Sequence, residues 1–416
     1  MIRSPRPQSP GPRSTVHGPT TPIYICLLAA LLLPAACAPK PKRPAAVTPA
    51  PPPAPAPPPA VSARASSAEP QLGVMLYVGD QVVKNYRPRP ALVTDTHLID
   101  KARHPAIDIH CHWSLDRDPA RMVEAMDERG IRIAVNLSGD WGAKLDQMLK
   151  KFHAFAPDRF AIFCSIDFDR IDEPGFGQTM AQFLEEARAK GAAGLKIYKN
   201  LGLGVKDSSG KLVPVDDPRL DPIWARAGEL KMPVLIHTAD PIAFFQPVDS
   251  FNERWLQLKR RPTWSFHGPQ FPKRQALLEQ RNRVMAKHPH TIFIGPHVGN
   301  SAEDLKTLGE WLTQYPNFYV DISGRVAELG RQPYSARRFL LEFQDRVLFG
   351  TDRYPGRTEQ PRYRIYYRFL ETRDEYFDYY EHDFPPTGEW KIYGVYLPEE
   401  VLEKIYYRNA ERVLGM

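Results

Sequence analysis

Cysteine is scarce and unpatterned in this chain. Cys26, Cys37, Cys111 and Cys164 are the four in 416 residues, with no CxxC pair and no knuckle-like spacing, so neither a disulfide framework nor a cysteine zinc site is built here. Cys111 and Cys164 each sit inside an apolar run and read as small buried hydrophobes. No segment repeats at a fixed period, which sets aside solenoids and propellers. Positive charge is in excess only nominally. The chain nets +7, but residues 1–70 hold seven Lys and Arg against Glu69 alone, leaving +1 on the other 346 residues. A nucleic-acid partner therefore has no electrostatic footing on the folded part. The apolar run Ile23–Leu33 falls short of the about 20 residues that a membrane-spanning helix needs.

What is present begins with an address. Arg3, Arg6 and Arg13 precede that apolar run, and Pro34-Ala35-Ala36-Cys37 follows it. A basic lead, a short apolar stretch and small residues make a secretory signal. Ala35-Ala36-Cys37 resembles a bacterial lipobox, although Pro34 stands where leucine is usual and Leu33 lies one place earlier. The resemblance implies a lipid on Cys37 after cleavage. Residues 1–37 are thus expected to be a signal of lipoprotein type, and the protein to work outside the cytoplasm. It would be anchored to a bacterial membrane through Cys37, or else be periplasmic or secreted. Residues 38–70 are rich in proline and alanine; they cannot bury enough surface to fold and favour an extended, semi-rigid spacer.

From residue 71 to 416 the composition is globular. A short strand pair is expected at Gly73–Val78 and Gln81–Lys84. Eight apolar runs follow: Ala106–His110, Ile131–Leu137, Phe160–Ile166, Ala193–Tyr198, Pro233–His237, Thr291–Ile294, Asn317–Ile322 and Arg346–Gly350. Helical patterns alternate with them at Pro119–Arg129, Gly142–Phe155, Gly175–Lys190, Leu220–Leu230, Lys273–Lys287, Ala302–Gln314 and Ser335–Phe343. Strands separated by helices pair in parallel, and eight is the number that closes a barrel. The expected fold is α/β, a TIM (β/α)8 barrel. Two connections are too long to be mere links. The aromatic-rich segment Ala239–Pro272 follows strand five and a tyrosine-rich one follows strand eight, which would put both over the C-terminal mouth where barrel sites form. Most of their aromatics are expected simply to pack these loops down.

The candidate site starts at Ala106-Ile107-Asp108-Ile109-His110-Cys111-His112. At period two, Asp108, His110 and His112 share one strand face, and neutral imidazoles so placed can grip one cation. Further along, Lys196 lies amid apolar neighbours, and His237, His297 and Asp352 each close a hydrophobic run. A charged or imidazole group there is costly to bury without a partner. Five strands each deliver such a group to one end.

These residues resemble the amidohydrolase superfamily, in particular the amidohydrolase-related branch that includes aminocarboxymuconate-semialdehyde decarboxylase. The likeness covers about residues 100–415, down to the closing Asn409-Ala410-Glu411-Arg412-Val413-Leu414-Gly415. It implies that His110, His112, His237 and Asp352 ligate Zn2+ or another divalent metal, and that His297 is a catalytic or further ligand histidine. Two-metal members of the superfamily carry a carbamylated lysine at the fourth strand, the place of Lys196. This branch commonly uses one ion, and one is expected here.

The chemistry so implied is hydrolysis of a small carbonyl or carboxyl compound, with water activated by the ion and Asp352 or His297 moving the proton. Arg325, just past the seventh strand, suits a substrate carboxylate. Tyr198, Lys199 and Asp240 are further candidate contacts, and His267 lies on a loop over the expected mouth. Non-oxidative decarboxylation is the enzymatic rival, and a non-catalytic cell-surface binding module the other. The partner in either enzymatic case is a small molecule; a homo-oligomer is compatible with the sequence.

Overall fold

Eight short parallel strands form one sheet in strict chain order in the computed structural model, which describes residues 77–78, 81–82, 89–381 and 385–416. They are β1 (Ala106–Cys111), β2 (Ile131–Asn136), β3 (Phe160–Cys164), β4 (Gly194–Ile197), β5 (Val234–Ile236), β6 (Phe293–Gly295), β7 (Phe318–Asp321) and β8 (Val347–Leu348). The two edges meet. Ile109 N–H donates to the Phe349 carbonyl at 3.0 Å, Asp352 N–H to His110 at 2.8 Å, and His112 N–H to Arg353 at 3.0 Å. The result is a nearly closed eight-stranded barrel with helices outside, a TIM-type α/β fold. The expected signal, the proline-rich segment and Cys37 lie outside the described residues. Tyr77–Val78 and Gln81–Val82 pair antiparallel within a unit ending at Pro88, and the barrel unit spans Arg89–Met416. No helix among the described residues is long and apolar enough to cross a membrane.

Side chains alternate between two apolar layers, as strands buried on both faces require. Ile107, Ile109, Ile133, Val135, Leu235, Ile294 and Leu348 fill the barrel. Val234, Ile236, Val320 and Val347 face outward to the helices. The helices begin and end where local chemistry predicts. The helix Pro119–Arg129 has proline in its first turn, Asp118 accepting from Ala120 N–H at 3.0 Å, and Gly130 at φ 73° closing it, the usual asymmetry of caps.

Two features depart from the sequence reading. First, β1 slips register against β2: three steps from Asp108 to Cys111 match two from Ala134 to Asn136. This extra residue, a β-bulge, turns His110 and His112 together into the mouth while Asp108 goes elsewhere. Asp108 accepts from Thr351 Oγ1 at 2.6 Å and Tyr363 Oη at 2.8 Å, so the three polar residues do not share a face. Second, the segment after β8 contains the helix Gln360–Glu371. Its Tyr363, Tyr366 and Tyr367 are fully buried, so these tyrosines pack the body as expected for most aromatics of the two insertions.

Candidate metal centre

Strand ends at the C-terminal mouth bring His110, His112 and Asp352 together. The Nε2 atoms of the two histidines are 3.3 Å apart, and each faces Asp352 Oδ1, at 3.4 Å from His110 and 3.5 Å from His112. Their other ring nitrogens are engaged. His110 Nδ1 donates to Asp321 Oδ2 at 2.8 Å, and His112 Nδ1 lies 2.7 Å from Ser138 Oγ. Burial lowers the His110 pKa, but Asp321 and Asp352 outweigh it and raise it, so with no ion bound its Nδ1–H stays on Asp321 and its Nε2 holds a proton toward Asp352. Burial, then the nearby His110 and Lys196, push His112 down to about 3, so His112 is neutral. A divalent ion that displaces this proton gains His110 Nε2, His112 Nε2 and Asp352 Oδ1 together as electron-pair donors. The centre of such a triangle is about 2.0 Å from each corner, the Zn–N and Zn–O bond length. The donor set therefore fits a divalent ion.

Asp321, at the end of β7, was not singled out from the sequence. Besides His110 it accepts from His297 N–H at 3.0 Å, Ser323 N–H at 2.9 Å and Ser323 Oγ at 2.5 Å. Burial opposes its charge, but His110 and these donors hold its carboxyl well below the usual range. With its oxygens saturated by donors it orients His110, as carboxylates behind metal-binding histidines do. It closes the apolar run Phe318-Tyr319-Val320, the same strand-end signal that marked His237 and Asp352.

His297 follows β6 in an unusual turn. Residues His297, Val298, Gly299 and Asn300 have φ of 58°, 59°, 60° and 57°, four left-handed residues in succession, each disfavoured by about 1–2 kcal/mol for a side-chain-bearing residue. Two arginines hold it. Buried Arg281 donates to the Gly299 carbonyl at 2.7 Å, and Arg274 to that of Asn300. The turn aims the ring so that Nδ1 donates to the Ser323 carbonyl at 2.8 Å, leaving Nε2 free. Burial first, and Arg325 second, hold His297 well below its ordinary value.

The remaining expected residues share the cavity to different degrees. His237 lines it, but Nε2 donates to the Ala239 carbonyl at 3.0 Å and lies 3.5 Å from Asp240 Oδ1; as placed, it is outside the His110–His112–Asp352 trio. Lys196 is buried and lines the cavity, its Nζ 5.2 Å over the Tyr198 ring. Burial pushes it down to about 8. Tyr198 lines the cavity while its hydroxyl donates to the Leu137 carbonyl at 2.7 Å. Arg325 lines it too, next to Gly324, whose N–H donates to Tyr366 Oη at 2.6 Å. Lys199 is paired with Asp240 at 2.5 Å. His267 is exposed and not part of the cavity wall. The cavity measures about 390 Å³, the scale of a small-molecule site.

A parallel barrel with two imidazoles and a carboxylate converging at the C-terminal mouth defines a metal-dependent barrel enzyme. The amidohydrolase family model matches residues 107–416, three quarters of the chain, and the chain belongs to that family. No curated protein matches it. Among solved structures, it is similar to 2,6-dihydroxybenzoate decarboxylase from Rhizobium, at 17% identity over 75% of this chain and 99% of that one, with TM-score 0.47. It is also similar to a dihydroxybenzoic acid decarboxylase from Polaromonas sp. JS666 with bound manganese and the inhibitor 2-nitroresorcinol (17%, 75% and 97%, 0.47). A third is dihydroorotase from Campylobacter jejuni (15%, 75% and 83%, 0.43).

Proposed function

We propose that the protein is a metal-dependent hydrolase of a small carbonyl or carboxyl compound, with His110, His112 and Asp352 holding one divalent ion. The observation that carries this reading is the convergence of three metal-ligating atoms within 3.5 Å of one another. His237, at the same mouth, is the fourth candidate ligand of this reading. A divalent ion at such a site polarises a substrate oxygen and lowers the pKa of water. The protein's own part is to move protons and fix the substrate. Asp352, a carboxylate held well below its usual range by His110 despite burial, accepts the proton of the attacking water. His297, neutral and with Nε2 free, is placed to carry a proton to the leaving group. Arg325 takes a carboxylate of the substrate as a two-pronged donor.

A second reading, non-oxidative decarboxylation, is supported by Arg325 beside His297, which suits a substrate carboxylate next to a proton carrier. Ester, lactone, amide and aromatic-acid substrates offered to the purified protein separate the two. Hydrolysis yields acid and alcohol or amine with one water consumed; carbon dioxide release without water uptake overturns the hydrolase reading. Metal below one ion per chain in wild type, or activity intact in His110→Ala, overturns both and leaves the binding module. We further propose, from residues 1–37 alone, that the reaction takes place outside the cytoplasm. Metabolic labelling with a fatty-acid analogue, lost in Cys37→Ser, tests the anchor.

A further inference from the structure

The barrel unit is nearly neutral, yet its cavity is not. Of the basic residues lining it, Lys199 is neutralised by Asp240 at 2.5 Å, Arg254 by buried Glu328, and Arg353 lies 3.7 Å from Glu359. Lys196, Arg261, Arg325 and Arg362 line the same cavity, and among the described residues none of the four has a carboxylate within ion-pair distance. Asp352 is the one remaining acidic wall residue, and it is committed to the histidine pair. A divalent ion adds to the imbalance. In a partly enclosed cavity, like charges left uncompensated focus the field on an anion.

Two of these cations belong to the inner end. Lys196 rises from β4, and Arg325 is the charged group that, after burial, acts most strongly on His297. The other two come from the long insertions. On the first, Arg254, Gln257 and Arg261 stand at i, i+3 and i+7 around the helix Trp255–Arg260 and all line the cavity; that spacing places them on one helical face. Arg254 N–H bonds are used by Glu328 and by Gln257 at 2.9 Å. Arg261 instead lies with its guanidinium 4.5 Å from the centre of the Trp264 ring, held on an indole face and, among the described residues, without a side-chain hydrogen bond. On the second, Arg362 sits in the first turn of the helix Gln360–Glu371.

We propose that Arg261 and Arg362 form a second anion subsite at the rim of the cavity, so that the substrate is a dianion with its distal carboxylate held there and its reacting end at the metal. This rests on the proposed function and narrows its substrate class to dicarboxylates. A monoanion at the inner end leaves the two rim guanidiniums unmatched. A compound with a second carboxylate matches both ends.

The test is calorimetric binding to protein loaded in parallel with Zn2+ and Mn2+. The probes are isophthalate against benzoate, and the straight-chain dicarboxylates malonate to adipate, each against the monocarboxylate of equal carbon number. At least one dicarboxylate is expected to bind about tenfold tighter than its partner or better, since each tenfold is only about 1.4 kcal/mol. Arg261→Gln and Arg362→Gln are expected to erase that ratio while leaving the monocarboxylate unchanged. Raising salt should lower the dicarboxylate affinity more steeply. Ratios near one for every pair in the wild type overturn the subsite, as does an equal loss of both probes in the two variants. Metal stoichiometry measured on the same samples reports on the metal centre separately, so a protein that binds its ion but shows no dianion preference sinks this inference alone.

Discussion

At the scale of single residues, the site divides into groups that face the ion and groups that aim them. His110→Ala removes one of three donors and is expected to drop bound metal from one ion per chain to a small fraction, read by elemental analysis. Asp321→Asn is the finer experiment. It keeps the volume but takes away the charge that fixes His110 Nδ1–H, and such changes typically weaken metal binding about 10–100-fold; chelator competition measures it. Lys196 offers a pH test. In metal-free protein its folded pKa of about 8 lies below the unfolded value near 10.4. Between those two values the unfolded chain holds a proton that the folded one has lost, so stability rises with pH through this window. The gain approaches roughly 3 kcal/mol for a fully buried amine. Lys196→Met should flatten the wild-type rise, seen as urea midpoints from pH 8 to 10.5. A wild type and a variant that track each other would mean that Lys196 keeps its ordinary pKa in the folded protein, as a solvated amine does.

The turn His297–Asn300 is the element on which the candidate site depends most. A β-branched Val298 in the left-handed region survives because Arg281, stacked 4.9 Å from Trp311 and 4.8 Å from Phe318, grips the Gly299 carbonyl from below. Arg281→Leu leaves that buried carbonyl unpaired, a loss of about 1–3 kcal/mol, with Arg281→Lys restoring part of it. Denaturation midpoints read the first effect, and kcat, falling more than metal content does, reads the displacement of His297. None of this turn was legible in Gly295-Pro296-His297-Val298-Gly299-Asn300, because backbone handedness at a non-glycine residue is set by tertiary hydrogen bonds, here from a helix of earlier sequence. By contrast the strands were legible to within two residues at most ends, since apolar runs punctuated by helices leave few alternatives. His110, His112 and Asp352 were found because strand-end polar residues stand out against apolar runs. Asp321 carries the same signal at the end of Phe318-Tyr319-Val320. Asp108 was misplaced for a different reason: a one-residue bulge breaks the period-two rule, and nothing local announces it. The pairing of Arg254 with Glu328, 74 residues apart, carries no sequence signal at all.

For the whole molecule, the informative line is the seam where β1 meets the segment after β8. His110 and His112 stand on one side of it and Asp352 on the other, joined by only a few backbone bonds. The C-terminus braces that seam. Phe349 N–H donates to the Ile405 carbonyl at 2.9 Å, and Asn409 Nδ2 donates to the carbonyls of Val347 at 2.8 Å and Gln344 at 2.7 Å, which gives the closing Asn409-Ala410-Glu411 stretch a structural task. An ion held by all three donors is then a cross-link between the first and last strands. Since it binds the folded state, free metal at a hundred times its dissociation constant adds about 2.7 kcal/mol of stability. For a body spanning Arg89–Met416 that amounts to a rise of about 4 °C in melting temperature. Asn409→Ala should lower the melting temperature of the metal-free protein and be partly rescued by metal, because both act on the same seam. His110→Ala should abolish the metal-dependent rise without needing any substrate. If calorimetry shows equal melting with and without Zn2+ or Mn2+ in the wild type, the three donors do not share an ion, and the convergence at this mouth serves packing rather than chemistry.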